Sequence, residues 1–365
     1  MPNEHKIALD ALVNVLPETG VDIDNAKRIA FLRGHYHERL VPLQPKLVFE
    51  QPFKPRAATL EAAGFRNEER IKGQFDVVLV LPERQRDQTL ADFAHAFDLL
   101  KDGGTMVVCL HNNWGAKRFE KLVAQAAGGV STISKHHCRV FWTTKSGTLN
   151  EETLAEWRGF HGLRRVIDGR FWSQPGFFSW DEIDAGSALL VQQLPPDLRG
   201  RGADLGAGWG YLSFEVVSRC PEVVSMDLYE ADRGALEAAR RNLGQLKTAC
   251  RPHGFWCDVP DERMEGRHDF IVMNPPFHDG RAADHRLGSK FIATAARALK
   301  AEGELWMVAN RHLPYEQVLE ETFNEKRILV QEGGFKVLWA KGPKEVSTPL
   351  RTRERKGKWP GKRRR

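Results

Sequence analysis

A chain of 365 residues with 41% apolar side chains exceeds what one ordinary core needs, and its length favours two domains of roughly 150 to 200 residues each. No stretch of 18 apolar residues occurs, and the start, Met1-Pro2-Asn3-Glu4-His5-Lys6, does not lead a basic segment into an apolar run, so a cytoplasmic protein without a membrane partner is expected. The net charge of +6 is concentrated at one end: residues 351–365 hold nine Lys/Arg and one Glu, which leaves the first 350 residues slightly acidic and excludes a broadly basic body.

Residues 1–145 read as one α/β unit. Phe75-Asp76-Val77-Val78-Leu79-Val80-Leu81 has the continuous apolar run of a strand buried on both faces. A helical pattern through Leu90, Phe93, Phe97, Leu99 and Leu100 follows, then Gly103-Gly104, the strand Met106–Leu110, a helix from Phe119 to Ala127, and short strands around Val130–Ile133 and Arg139–Thr143.

The same order recurs downstream. Asp76–Glu83 lines up with Asp269–Pro276 at a shift of 193 residues, and Leu100–Thr105 with Leu299–Glu304 at a shift of 199, so a six-residue insertion separates two copies of one fold. The first copy has no glycine loop before residue 74, where Gly20 and Gly34 stand alone, and it carries Leu81-Pro82-Glu83-Arg84 where the second has Asn274-Pro275-Pro276-Phe277. A leucine cannot hydrogen-bond an amino group, so the first copy is expected to be catalytically silent.

Residues 146–184 form a polar linker, a short helix and an aromatic lead-in, Phe171-Trp172-Ser173-Gln174-Pro175-Gly176-Phe177-Phe178-Ser179-Trp180. This segment reads either as a lid over the second core or as a direct contact to a ligand. Asp184 and Ser187 are placed to cap the next helix, Ala188–Leu194. From 185 to 345 strands and helices alternate: Val223–Leu228, the helix Arg233–Leu243, Gly254–Cys257, Phe270–Met273, the helix Phe291–Leu299 and Glu304–Val308. That alternation predicts an open, mostly parallel, doubly wound sheet, and Arg327–Val330 with Phe335–Trp339 around Gly333-Gly334 predicts an antiparallel edge hairpin. The basic tail, 346–365, reads either as a solubilising end or as an RNA-binding arm, since Lys/Arg neutralise phosphates and Trp359 can stack on an unpaired base.

Asp204 ends a strand and leads into Gly206-Ala207-Gly208-Trp209-Gly210, a turn in which absent side chains let backbone N–H groups approach a ligand. Tyr211 stands where a dinucleotide loop needs a small residue, which disfavours NAD. At the end of the next strand Glu230 fits the strand-to-helix turn better than Asp227 as an acceptor for two ribose hydroxyls, and Asp258 closes the third strand, in reach of an adenine amino group. Asn274-Pro275-Pro276-Phe277 directly follows an apolar strand; the prolines stiffen the turn and remove donors, leaving the Asn274 side-chain oxygen and the Pro275 carbonyl as acceptors for one flat –NH2 group. Phe277 offers a stacking face for the ring that carries the amine. The five cysteines, far apart and without a C-x-x-C pair or a His cluster, indicate neither a metal site nor a disulfide framework and read as small buried side chains.

Taken together, Asp204–Gly210, Glu230 and Asn274–Phe277 resemble the signature of class I S-adenosylmethionine-dependent methyltransferases acting on exocyclic amines. More narrowly, Asn274–Gly280 and Leu305–Tyr315 resemble the ribosomal RNA guanine-N2 methyltransferases of both ribosomal subunits, which also pair a degenerate N-terminal half with an active C-terminal one. The resemblance is strongest over residues 171–340 and does not extend to the basic tail. It implies an α/β chain of two tandem Rossmann-like methyltransferase domains with seven-stranded sheets. It further implies S-adenosylmethionine held by Asp204, Gly206, Ala207, Gly208, Gly210, Glu230 and Asp258, and catalysis by Asn274, Pro275, Pro276 and Phe277 in a metal-free monomer that acts on ribosomal RNA or a ribosomal subunit. The released proton passes to His278-Asp279 or to solvent. Two rivals stand beside this reading: methylation of adenine N6 or a protein glutamine, and an RNA-binding assembly factor without catalysis.

Overall fold

The computed structural model describes residues 4–147, 149–262, 264, 266–276 and 281–344, with backbone alone for 281–284. Phe277, His278, Asp279 and the basic tail lie outside the described residues.

In the first half the elements run α1 (Glu4–Val15), β1 (Ile29–Leu32), β2 (Leu47–Glu50), α2 (Lys54–Ala62), β3 (Arg66–Asn67), β4 (Phe75–Val80), α3 (Arg86–Leu99), β5 (Leu100–His111), α4 (Ala116–Ala127), β6 (Ser131–Lys135) and β7 (Cys138–Thr144). A helix, α5 (Glu151–Gly159), and a hairpin, β8 (Arg164–Val166) with β9 (Phe171–Ser173), lead to the second half. There follow α6 (Ala185–Gln193), β10 (Gly200–Leu205), α7 (Tyr211–Arg219), β11 (Val223–Glu230), α8 (Arg233–Leu243), β12 (Arg251–Trp256), β13 (His268–Met273), α9 (Arg281–Ala298), β14 (Leu299–Asn310), α10 (Tyr315–Thr322), β15 (Phe323–Glu332) and β16 (Phe335–Pro343).

Both halves build a seven-stranded sheet in the same spatial order, β3-β2-β1-β4-β5-β7-β6 and β12-β11-β10-β13-β14-β16-β15. The first five strands of each are parallel and the last two antiparallel, as the doubled sequence and the Gly333-Gly334 turn predict. The apolar runs are continuous because both sheet faces are covered. In β4, Val78 and Val80 enter one core with Phe93 and Phe97 of α3, while Val77 and Leu79 enter the other with Leu9 and Leu12 of α1. In β13, Phe270 and Val272 alternate with Ile271 and Met273 in the same way. Leu154 and Trp157 of α5 are buried in the first core, so this helix is packed structure within the lead-in. All five cysteines are free and buried.

The ladder registers identify equivalent positions. Leu32 pairs with Val80 as Leu205 pairs with Met273, which makes Arg33 the counterpart of Gly206 and Leu81 the counterpart of Asn274. Arg33 takes the left-handed backbone that Gly206 takes, with φ of 55° against 76°. Its guanidinium is hydrogen-bonded to Asp92. Burial works against that charge, but Asp92, Glu83 and Asp232 outweigh it and hold the guanidinium firmly protonated. A salt-bridged arginine therefore fills the first half where the second half leaves a glycine.

Candidate active site

The Gly206–Gly210 turn and Asn274 meet at the C-terminal edge of the second sheet, because β10 and β13 are adjacent parallel strands and end in register at Leu205 and Met273. Between them lies a narrow cleft of about 50 Å³, lined by Gly206, Ala207, Gly208, Trp209, Asn274, Asp184, Ser187, Phe178, Ser179, Tyr211 and Leu212.

The turn is shaped by its glycines but does not present its N–H groups as the sequence suggests. The N–H groups of Gly206 and Ala207 both donate to the Tyr229 carbonyl (2.8 and 3.1 Å), that of Gly210 to the Ala207 carbonyl (2.8 Å), and that of Gly208 to Glu230 Oε2 (2.7 Å). The expected cradle of free backbone donors is thus corrected to a tight, internally satisfied turn that contributes space. A side chain at Gly208 would meet no atom within 4 Å, which marks the open side of the turn; one at Gly210 would lie 2.8 Å from Ala239 Cβ, which marks the side where α7 packs on α8.

Asp204 is fully buried and faces α7, where its Oδ2 accepts from Ser213 Oγ (2.7 Å) and Ser213 N (3.2 Å). Its Oδ1 is buried without a partner, and burial pushes the carboxyl up to about 7. Strand alternation sends this side chain under the turn, and it does not line the cleft. Glu230 ends β11 beside the turn; Oε1 accepts from Asp232 N (2.7 Å), Oε2 from Gly208 N, and burial pushes it up to about 7 as well. Asp227, the competing acid, is buried mid-strand against His268 (2.9 Å) and His253 (3.2 Å). Asp258 stands just beyond β12, raised by burial and by Asp261 and Glu262.

Two features suit the cofactor that the resemblance implies. The Gly208 side of the turn is open, and an acid held by two backbone N–H groups marks the next strand end. Among the described residues no group of three or more His, Cys, Asp or Glu is placed to hold a metal ion. Also among them, no helix is long and apolar enough to cross a membrane.

The Asn274 amide nitrogen donates to Asp184 Oδ2 and to Ser187 Oγ, both at 2.9 Å. Sequence reasoning found these two residues only as a helix cap; nothing local in the sequence links them to a turn 90 residues away. The aromatic lead-in divides between its two readings: Phe171 and Phe177 are buried in the second core, whereas Phe178 is 64% exposed on the cleft wall. Trp209 Nε1 donates to the carbonyls of Phe178 (3.1 Å) and Ser179 (3.2 Å), tying that segment to the glycine turn.

Residues 168–339 match the family model described as the methyltransferase small domain. The ribosomal RNA small subunit methyltransferase C of Psychromonas ingrahamii is 30% identical over 269 residues, covering 73% of this chain and 75% of that protein. The protein of the same name from Klebsiella pneumoniae is 31% identical over 262 residues, 72% of this chain and 74% of that one. Among solved structures, the T. thermophilus 16S rRNA N2 G1207 methyltransferase, in complex with AdoMet and guanosine, superposes with a TM-score of 0.75 at 23% identity, over 91% of this chain and 92% of that one, and so shares the two-domain fold.

Proposed function

The chain belongs to the ribosomal RNA small subunit methyltransferase C family, and on that footing we propose that its C-terminal half methylates the exocyclic N2 amine of a guanine in small-subunit ribosomal RNA, with S-adenosylmethionine as donor. The observation that carries this reading is that the glycine turn and Asn274 line one cleft. The ligands named for the T. thermophilus enzyme, AdoMet and guanosine, are the pair such a cleft would have to bring together.

In this reading Glu230 accepts from the ribose hydroxyls, Asp204 supports the turn from beneath through its bonds to Ser213, and Asp258 accepts from the adenine amino group. When bound, S-adenosylmethionine supplies an electrophilic methyl on a sulfonium. The Asn274 side-chain oxygen and the Pro275 carbonyl accept the two hydrogens of the guanine amine and direct its lone pair towards the methyl. Rate then comes from positioning and electrostatics, without a covalent enzyme intermediate. A paired guanine hides its amine, so the base must be unpaired or swung out, and Phe178 and Phe277 offer it apolar faces. Both motifs come from one chain, so the cleft is complete in a monomer.

The test is to incubate the purified chain with S-adenosylmethionine and unmethylated small-subunit RNA, naked and in assembled subunits, and to digest the product for nucleoside mass spectrometry. N2-methylguanosine supports the proposal. N6-methyladenosine, or no methylated base, overturns it.

A further inference from the structure

Asp184 caps α6: its Oδ2 accepts from Ser187 N at 2.7 Å. The same oxygen accepts from the Asn274 amide nitrogen at 2.9 Å, and Ser187 Oγ accepts from that nitrogen at 2.9 Å. A side-chain amide has two faces of nearly equal shape, and its hydrogen-bond partners decide which is which. An ionised carboxylate only accepts. Turning the Asn274 amide over would set its carbonyl oxygen against a carboxylate oxygen, so the nitrogen is committed to Asp184 and Ser187, and the carbonyl oxygen is the end left for the cleft.

We propose that Asp184 and Ser187 are positioning residues that lock the Asn274 amide with its oxygen towards the substrate, and so make this site select an amine that donates two hydrogens. The inference rests on the function proposed above. The helix cap and the substrate acceptor thus share one carboxylate oxygen, which couples the start of α6 to the strand end that carries Asn274. Without the lock the amide is free to rotate and to present –NH2 to –NH2, a pairing in which neither group accepts.

The cap and the lock separate by substitution. Asp184→Ser keeps an oxygen that caps a helix about as well as Asp, but the shorter side chain no longer reaches Asn274. Asp184→Asn keeps an oxygen at the Oδ2 position for both bonds. The expected result is that Asp184→Ser melts close to wild type and keeps its KM for S-adenosylmethionine while kcat falls on the order of 100-fold, the scale of a misplaced reacting group. Asp184→Asn is expected to restore kcat to within about threefold, because both acceptor bonds survive. In a 15N spectrum the Asn274 side-chain amide protons, assigned by their loss in Asn274→Asp, should exchange slowly with solvent in wild type and rapidly in Asp184→Ser. Equal kcat in wild type and Asp184→Ser, or loss of KM and kcat together in both variants, would overturn the lock. A wild-type chain that makes no N2-methylguanosine would instead overturn the function on which it rests, and the amide spectrum would still decide the lock.

Discussion

Phe53 and Asp232 pair as an antiparallel bridge across the boundary between the two halves, flanked by Lys54 N donating to the Ala231 carbonyl (2.8 Å) and Arg233 N donating to the Pro52 carbonyl (3.1 Å). The registers make these turns equivalent: Leu32 pairs with Glu50 as Leu205 pairs with Tyr229, so Gln51, Pro52, Phe53 and Lys54 correspond to Glu230, Ala231, Asp232 and Arg233. The two copies therefore meet through the same turn about a local two-fold axis. Gln51 Oε1 accepts from Phe53 N (3.0 Å) as Glu230 Oε1 accepts from Asp232 N (2.7 Å). Gln51 Nε2 then donates to the Gly34 carbonyl (3.0 Å), where Glu230 accepts from Gly208. The first half has the shape of the second half's turn with Gln51 in place of the acid, and it docks beside Glu230.

That docking is predicted to set cofactor affinity. Trp256 Nε1 donates to the carbonyls of both Pro52 and Ala231 at 2.8 Å, and its ring carries the Arg233 guanidinium at 3.8 Å and the Lys54 ammonium at 4.6 Å. Trp256→Phe keeps much of the ring but removes one of two donors at each carbonyl, which still accept from Arg233 N and Lys54 N, a loss of about 0.5–1.5 kcal/mol. Calorimetry should show weaker S-adenosylmethionine binding together with a lower Tm. Unchanged binding would make the latch a purely structural joint.

Cofactor binding and stability should respond to pH in opposite directions. Asp204 and Glu230 are both pushed up to about 7, so from the ordinary carboxylate range to about 7 the folded chain holds protons that the unfolded chain has released. Their contribution to stability is present at low pH and is lost as pH rises through 7. Glu230 must be ionised to accept from two hydroxyls, so the Kd for S-adenosylmethionine should rise by up to about tenfold per unit as pH falls below 7. Glu230→Gln should bind weakly with a flat profile. The check is titration calorimetry across pH 5.5–8.5 beside thermal melts of the free protein.

Two glycines of the same turn should fail differently. At Gly210, with φ of 88°, a methyl would sit 2.8 Å from Ala239 Cβ and 3.0 Å from its Cα, so Gly210→Ala forces α7 from α8. It should cost about 2–5 kcal/mol of stability, the sum of overpacking and left-handed strain. Gly208, with φ of 55°, has open space, so Gly208→Ala should cost only the strain of about 1–2 kcal/mol and act chiefly on cofactor binding. Denaturant melts and binding isotherms of the pair read the two effects separately.

The doubled order of elements, the antiparallel edge and the approach of residues 206–210 to Asn274 were legible because each rests on local signals: apolar runs of strand length, Gly-Gly turns, and a rigid Asn-Pro-Pro step at a strand end. The strands before residue 74 were not, since Ile29–Leu32 and Leu47–Glu50 are four residues each and the turn after the first carries Arg33 in a glycine's conformation. Asp204 sits at the expected strand end, but which face it takes is decided by alternation against α7. The N–H groups of Gly206 and Ala207 are consumed by the Tyr229 carbonyl, a partner 23 residues away for Gly206. The Asp184 lock and the Phe53–Asp232 bridge join residues 90 and 179 positions apart and become visible only when the sheets are assembled.

The central claim is that Asn274 serves the transferred methyl's acceptor and not the fold, and Asn274→Ala tests it in one experiment that pairs S-adenosylmethionine titration with mass spectrometry of the RNA product. The account predicts that N2-methylguanosine disappears while cofactor Kd stays within a few fold. Persistent methylation, or loss of cofactor binding in step with activity, would contradict it.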